Sequence, residues 1–343
     1  MKHLLNTLYI TTQGAYLSRE GETILVRVNE ENKLHVPIHT LSSVVCFGAV
    51  SCSSPLMELC AERNVAISFL SENGKFYARV EGPVSGNVLL RREQYRWADN
   101  ESKSAEVAKR MVIAKIANSR TVLLRAARDR SEEEGATRLT GAANHLAELL
   151  SELETPQDLE TVRGREGDAA RHYFSVFNNL IVAQKDDFFF HERSRRPPLD
   201  NMNSVLSFLY TLLVHDVTSA LEVVGLDPAV GFLHRDRPGR PGLALDIMEE
   251  FRPFLADRLA LSLVNLQQIK GKGFIKTETG AVTMDNDTRK AVIVAYQTRK
   301  QEEIQHSFLG EKVVIGLLPY VQALLLARHI RGDIDGYPPF FWK

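Results

Sequence analysis

A single change of hydrophobic period near residue 84 constrains this chain more than any other feature. Before it, residues 4–10, 14–17, 22–28 and 33–37 form short runs that are β-branched or alternate between apolar and polar, parted by Gly or Asn/Glu turns. Alternation sends successive side chains to opposite faces of a strand, so these runs predict consecutive hairpins. Residues 54–64 read instead as a helix, with Ser54 as N-cap, Pro55 in the first turn, and Leu56, Leu59 and Cys60 on one side. Strands resume at residues 66–69 and 76–80 about an Asn73-Gly74 turn. Residues 81–87 carry the Gly, Pro and Ser of a linker.

Beyond that linker the apolar spacing becomes three and four. Residues 104–128 place Val107, Met111, Ala114, Leu123 and Leu124 between charged positions, and residues 165–182 carry a stripe of Ala169, Ala170, Tyr173, Phe177 and Leu180. Residues 203–224 are apolar almost all round and stop at Gly225, which predicts a central buried helix. Residues 155–161 read as a polar loop and 332–339 as an irregular tail. The expectation is an α+β chain: an N-terminal β-strand domain over residues 1–84, then a larger all-α-helical domain over 85–343. Two domains also suit 343 residues, since one domain usually spans roughly 100–200.

Hydrophobic residues make up 44% and charged residues 25%, the balance of a chain able to bury a core. No uninterrupted apolar run approaches the roughly 20 residues of a membrane span, and Met1-Lys2-His3-Leu4-Leu5-Asn6 lacks a signal peptide's apolar stretch. A cytoplasmic protein without a membrane partner is expected. Cys46, Cys52 and Cys60 are odd in number and form no Cys-x-x-Cys pair, so small buried thiols are expected rather than disulfides or a zinc site. A net charge of -1 announces no polyanionic partner, and any nucleic-acid face must be local. Residues 88–130 hold eleven Lys or Arg against five Asp or Glu, whereas residues 131–168 hold three against ten. That reversal fits two solvated helix faces, or a basic binding surface beside an acidic one.

Several polar residues sit where the pattern wants apolar ones. Glu166 lies on the stripe of Ala169, Ala170 and Tyr173, where a carboxylate must be paired, protonated or bound to a cation. Alternatively it is a first-turn acid favoured by the helix dipole and still solvated, as Asp168 is expected to be. Asp246 and Glu249, three apart, share a helix face and repel each other unless a positive charge intervenes; a metal ion or Arg252 can supply it. Pro253 ends or kinks that helix. His234 follows a segment in which Asp227 can cap and Pro228 can start a short helix, and it precedes a Gly- and Pro-rich loop bearing Arg235, Arg237 and Arg240. Separate helical carboxylates, a histidine and three nearby arginines are what a divalent ion acting on a phosphodiester requires. Carboxylates suit Mg²⁺, and one imidazole makes Mn²⁺ equally suitable. No P-loop, dinucleotide fingerprint or Gly-x-Ser-x-Gly elbow occurs.

At these positions the chain resembles a known family, the CRISPR-associated integrase called Cas protein one. The resemblance rests on Gly164-Arg165-Glu166-Gly167-Asp168, Arg195-Arg196-Pro197-Pro198-Leu199-Asp200-Asn201-Met202-Asn203, Gly225-Leu226-Asp227-Pro228, Gly231-Phe232-Leu233-His234 and Leu243-Ala244-Leu245-Asp246-Ile247-Met248-Glu249-Glu250-Phe251-Arg252-Pro253, in that order. It implies Glu166, His234 and Glu249 as ligands of a Mg²⁺ or Mn²⁺ ion, with Glu249 standing where some relatives carry Asp. It implies Asp246 as a further acidic catalytic position, Tyr173, Asn203 and Arg252 as supporting residues, and a homodimer formed through the β domains. The implied partners are double-stranded DNA and Cas protein two, and the implied reaction joins 3′ ends of short duplexes to the CRISPR repeat by phosphodiester transesterification. Arg235, Arg237 and Arg240 are the expected DNA contacts. The alternative is a DNA-binding scaffold of the same fold without catalysis.

Overall fold

The computed structural model describes residues 6–63, 65–72, 76–80, 88–129 and 134–342. The chain divides into two compact units, Met1–Asn87 and Val88–Lys343. The Asn73-Gly74 turn and the residue 81–87 linker lie outside the described residues.

The first unit contains β1 (Asn6–Ile10), β2 (Tyr16–Glu20), β3 (Thr23–Val28), β4 (Glu31–Pro37), β5 (Leu41–Phe47), β6 (Ser51–Cys52), α1 (Ser54–Glu62), β7 (Ala66–Leu70) and β8 (Phe76–Val80). They form two four-stranded sheets, ordered β1-β5-β7-β8 and β4-β3-β2-β6. Hairpins join β2 to β3 and β3 to β4 as expected, but β1 does not pair with β2. It runs parallel to β5, which sequence alternation missed, and β5 runs parallel to β7. Val44, Val45, Cys46 and Phe47 of β5 are all buried, so this inner strand reads as a continuous apolar run instead of alternating. Helix α1 supplies the crossover from the β5–β6 segment to β7, and its N-cap is Ser53, one residue before the expected Ser54. Ile10, Leu17, Ile24, Val44, Leu56, Leu59 and Ile67 share one core that both sheets and α1 cover. Cys46 and Cys60 are buried and Cys52 is partly so, all as free thiols.

The second unit opens with α2 (Val88–Asp99), α3 (Glu101–Arg128), α4 (Glu134–Glu152) and α5 (Leu159–Ser175), then α6 (Asn201–Val224) and α7 (Gly242–Met248). A wide π-type turn over Arg252–Asp257 leads into α8 (Arg258–Asn265). Two short hairpins follow, β9 (Phe274–Lys276) with β10 (Val282–Met284), and β11 (Glu303–Gln305) with β12 (Lys312–Val314), flanking α9 (Asn286–Gln301) before α10 (Leu318–Arg331). The unit is therefore mostly rather than wholly helical. Three-residue strands are too short to imprint a period on the sequence.

Helix α5 begins at Leu159, six residues earlier than expected, because Asp158 caps it by accepting from the Thr161 amide at 2.7 Å. Glu166 thus lies in the middle of α5 and not in a first turn. No helix starts at Pro228; Asp227 accepts from the Ala229 amide at 2.8 Å and shapes a turn instead. Helix α6 is long and apolar enough to cross a membrane, with a mean hydropathy of 1.4 over its most apolar stretch. Here it is a core helix: Met202, Val205, Leu206, Leu209, Leu213 and Val217 are buried among its neighbours. On this helix Asp216 pairs with Lys300 at 2.7 Å and accepts from the Tyr296 hydroxyl at 2.8 Å.

Candidate metal centre

Three stretches of the second unit bring the expected ligands together. Helix α5 carries Glu166, the irregular segment after α6 carries His234, and the end of α7 carries Glu249. A fourth residue, absent from the sequence-based expectation, joins them. Lys115 on α3 forms ion pairs with Glu166 Oε1 and with Glu249 Oε2, the latter at 2.7 Å. The ammonium thus sits between carboxylates that lie 83 residues apart in sequence (249 minus 166). Lys115 has the same signature as Glu166, a charged residue on an apolar stripe four positions after Met111. Only its partners, distant in sequence, explain it.

Glu249 is almost wholly buried and doubly countered. Arg252 Nη1 lies 2.7 Å from Oε1, and His234 Nε2 lies 4.0 Å from the same oxygen. Burial opposes ionisation of Glu249, but Arg252, Lys115 and His234 outweigh it and hold the carboxyl at about 2. The Glu249 Oε2 contact with Lys115 is close but poorly aligned, so that oxygen has no well-formed hydrogen bond. A buried carboxylate oxygen held by charge alone is available to a better cation.

Asp246 is fully buried and is placed differently from the expected ligands. Its Oδ2 accepts from the Phe232 and Leu233 amides at 2.6 and 2.9 Å, and Oδ1 accepts from the His234 amide at 3.0 Å and from His234 Nδ1 at 2.6 Å. A carboxylate only accepts, so Nδ1 carries a proton, and Nε2 is the nitrogen turned toward Glu249. The sequence makes this possible at Gly231, where a Cβ would come within 2.8 Å of Asp246 Oδ2.

Beside these groups lies a narrow cleft lined by Lys115, Tyr173, Arg195, Tyr210, Arg252 and Asp257. The Tyr210 hydroxyl donates to Asp257 Oδ1 at 2.7 Å, and the Arg252 and Arg193 guanidinium groups lie 5.0 and 5.2 Å from the Tyr210 ring centre. Tyr173 reaches the cleft with a buried hydroxyl that has no well-formed hydrogen bond. Asn203 does not reach the ligands. It ties the start of α6 to the preceding segment, accepting from Arg193 Nη1 at 2.6 Å and donating to Glu192 O at 2.8 Å.

Of the three loop arginines, Arg235 and Arg237 are exposed and Arg240 is partly covered. Arg235 pairs with Glu160 at 2.7 Å. Burial first, then the neighbouring Arg237, Arg196 and Arg195, lower the Arg240 pKa, which shows that these four guanidinium groups share one positive region. The pair Arg195-Arg196 was visible in the sequence, but only the fold brings it beside Arg240.

Glu166 and Glu249 meet on Lys115, and His234 Nε2 lies 4.0 Å from Glu249, but the three do not close on one another as a second set does. His145, Asp168 and His172 bring their ligand atoms within 4.8 Å of one another, the one such group among the described residues. Asp168 is therefore not a free solvated acid: it pairs with His145 at 2.9 Å and with Arg171.

Comparison with known proteins bears on the whole chain. The family described as CRISPR associated protein Cas1 matches residues 8–298. CRISPR-associated endonuclease Cas1 1 of Chlorobaculum tepidum is 55% identical over 343 residues, covering all of both chains. CRISPR-associated endonuclease Cas1 2 of Rhodospirillum rubrum is 50% identical over 347 residues, again covering all of both. Among solved structures, a Cas1 protein from Thermotoga maritima matches with a TM-score of 0.80 at 23% identity, over 98% of this chain and 100% of that one. A casposase bound to integration product matches with a TM-score of 0.83 at 22% identity, over 99% and 95%. The Cas6-RT-Cas1–Cas2 complex matches with a TM-score of 0.83 at 22% identity, over 100% and 36%. At these identities the structures speak for the fold, an N-terminal sheet region followed by a mostly helical one.

Proposed function

Because the chain belongs to the CRISPR-associated Cas1 family, we propose that it is a Mg²⁺- or Mn²⁺-dependent DNA endonuclease and integrase of CRISPR adaptation, acting in the cytoplasm. The observation that carries this reading is the meeting of Glu166 and Glu249 on the Lys115 ammonium, with His234 Nε2 4.0 Å from Glu249. Two carboxylates that need a cation, beside an imidazole whose other nitrogen is committed to Asp246, fit Mg²⁺ or Mn²⁺. Glu166, His234 and Glu249 would hold the ion, which supplies Lewis-acid polarisation of a phosphoryl oxygen when bound.

The chain's own groups do the remaining work. Asp246 fixes the histidine tautomer, and Arg252 keeps Glu249 ionised. Arg195 in the cleft, with Arg196, Arg237 and Arg240 nearby, offers positive charge to the phosphates that flank the reacting one. In strand joining, the 3′-hydroxyl of the short duplex gives up its proton as its oxygen attacks phosphorus in the repeat; a new P–O bond forms, the P–O3′ bond of the repeat breaks, and the leaving 3′-oxygen takes up a proton, so no net proton is consumed. Cleavage is the same displacement with water as the nucleophile. A homodimer formed through the first unit, and Cas2 as a protein partner, complete the reading; a structural neighbour is itself an assembly of Cas1 with Cas2.

Strand joining and cleavage of duplex DNA, assayed with Mn²⁺ and with chelator, test the proposal. Glu166→Ala, His234→Ala and Glu249→Ala are each expected to abolish both reactions while DNA binding persists, because basic residues elsewhere supply most of the affinity. Full activity in His234→Ala with chelator-resistant kinetics rejects the metal mechanism. DNA binding by the unaltered chain without any Mn²⁺-dependent joining or cleavage selects the scaffold reading instead.

A further inference from the structure

We propose that His145, Asp168 and His172 form a second metal site, selective for a borderline transition ion such as Zn²⁺, which pins α4 to α5. The three residues come from two adjoining helices, His145 from α4 and Asp168 with His172 one turn apart on α5. The two imidazole rings lie 3.7 Å apart between centres and are tilted by 33°. His145 Nε2 is 2.9 Å from Asp168 Oδ2, and His172 Nδ1 is 3.4 Å from Asp168 Oδ1. All three side chains are only partly exposed, so they are neither freely solvated nor sealed from an entering ion.

The second nitrogen of each ring argues for ligation over a simple charge pair. His172 Nδ1 donates to the Asp168 backbone carbonyl at 3.0 Å, which fixes the ring and leaves the Nε2 lone pair free. His145 Nδ1 lies 3.5 Å from Glu148 Oε2, so a carboxylate waits on its far side too. When an ion takes His145 Nε2, the ring's one N–H proton resides on Nδ1, which then donates a hydrogen bond toward Glu148 Oε2. An ion bound by Nε2 of each ring and one Asp168 oxygen has two N ligands and one O ligand, the set that tetrahedral zinc uses with a water as the fourth. Ligand atoms about 2.0–2.2 Å from such an ion lie roughly 3.4 Å apart, and one ligand atom from each of the three residues already lies within 4.8 Å of the other two. Arg171 now pairs with Asp168 but is itself highly exposed, and it can swing away into solvent. Two imidazoles make the site a poor one for Mg²⁺, which prefers oxygen and water. This separates it chemically from the Glu166 centre, although both lie on α5.

Cobalt absorption and zinc-dependent thermal stability of the full-length chain test the site. The background variant Glu249→Gln weakens the other centre, and millimolar Mg²⁺ occupies what remains of it. One Co²⁺ per chain is expected to give a visible d–d band that Zn²⁺ abolishes. The His145→Ala/His172→Ala double variant should lose this band and the Zn²⁺-induced rise in Tm. Asp168→Asn keeps a side-chain acceptor for His145 and tests the same site with less disturbance of the helices; its Zn²⁺ affinity should fall at least tenfold. A band or Tm shift that is unchanged in both variants, or the absence of any Co²⁺ equivalent in the Glu249→Gln chain, overturns the assignment. Activity at the Glu166 centre is read separately, so the two proposals fail independently.

Discussion

Lys115 places its ammonium 2.7 Å from Glu249 Oε2, at the position a shared cation between Glu249 and Glu166 would take. Burial alone drives an amine toward neutrality, yet the carboxylates Glu249 and Glu166 more than offset it and raise the Lys115 pKa above its ordinary value. The lysine therefore acts as a built-in counter-ion to two acids that the fold forces together.

Removing that counter-ion by Lys115→Met should leave Glu166 and the Oε2 of Glu249 without their shared cation, while Arg252 still pairs with Glu249 Oε1, and should destabilise the protein in chelator by up to about 3–5 kcal/mol. Mn²⁺ should restore much of the loss, and Mn²⁺ affinity should rise because no amine competes for the same oxygens. Thermal melts of both proteins with EDTA and with Mn²⁺ check this. Equal Mn²⁺ shifts in wild type and variant would count against competition at a common position.

Asp246→Asn replaces one of two acceptor oxygens by a donor, where backbone amides from Phe232, Leu233 and His234 converge. One buried donor must then face another, at a cost of about 1–3 kcal/mol. The His234 tautomer is also no longer enforced, so metal affinity should fall by about 10- to 100-fold. Calorimetric Mn²⁺ titration of the folded variant reads the second effect apart from the first. Unchanged affinity would show that Asp246 merely supports the loop.

The division into a strand region and a helical region was legible because a period of two and a period of 3.6 leave different marks on a sequence. β5 was not, since burial on both faces erases alternation in Val44-Val45-Cys46-Phe47. In the candidate site, Glu166 was legible as a charge on an apolar stripe, and Glu249 as an acid sharing a helix face with Asp246. Lys115 carries the same mark as Glu166, but a long amine on a helix is so often solvated that only its two partners reveal its place. The pairing of Arg195 and Arg196 with Arg240 depends on bringing the segment before α6 against the loop before α7, which no local pattern encodes. His145 escaped for a similar reason: its partners Asp168 and His172 lie on the next helix.

The folded chain should lose stability as pH rises through the Asp257 titration. Burial pushes this carboxyl up from its ordinary 3.8 to about 6, against the pull of the Tyr210 hydroxyl and the nearby Arg193 and Arg252. Below 3.8 both folded and unfolded chains hold the proton, and the stabilising contribution is complete. Between 3.8 and about 6 only the unfolded chain releases it, so the contribution falls and is lost above the folded pKa. Asp257→Asn keeps an acceptor for Tyr210 and cannot titrate. Its Tm relative to wild type should therefore improve steadily from pH 4 to pH 7, and a constant difference over that range would reject the assignment.

The loop arginines should dominate the salt dependence of DNA binding rather than its sequence preference. Arg235 and Arg237 are exposed, and Arg240 feels the charges of Arg237, Arg196 and Arg195. Such a cluster displaces counterions from phosphates without reading bases. In the Arg235→Ala/Arg237→Ala/Arg240→Ala variant, the slope of log K against log salt should flatten by about 0.9 for each duplex phosphate that is no longer neutralised. Affinity should fall equally for unrelated sequences. Glu160 provides an opposite test, because it now pairs with Arg235 at 2.7 Å on the surface. Glu160→Gln frees that guanidinium, and binding should tighten by at most about fivefold, since an exposed pair holds its partners only weakly. Fluorescence anisotropy across a salt series measures both variants. An unchanged slope in the triple variant, together with no gain in Glu160→Gln, would move the DNA path away from this loop.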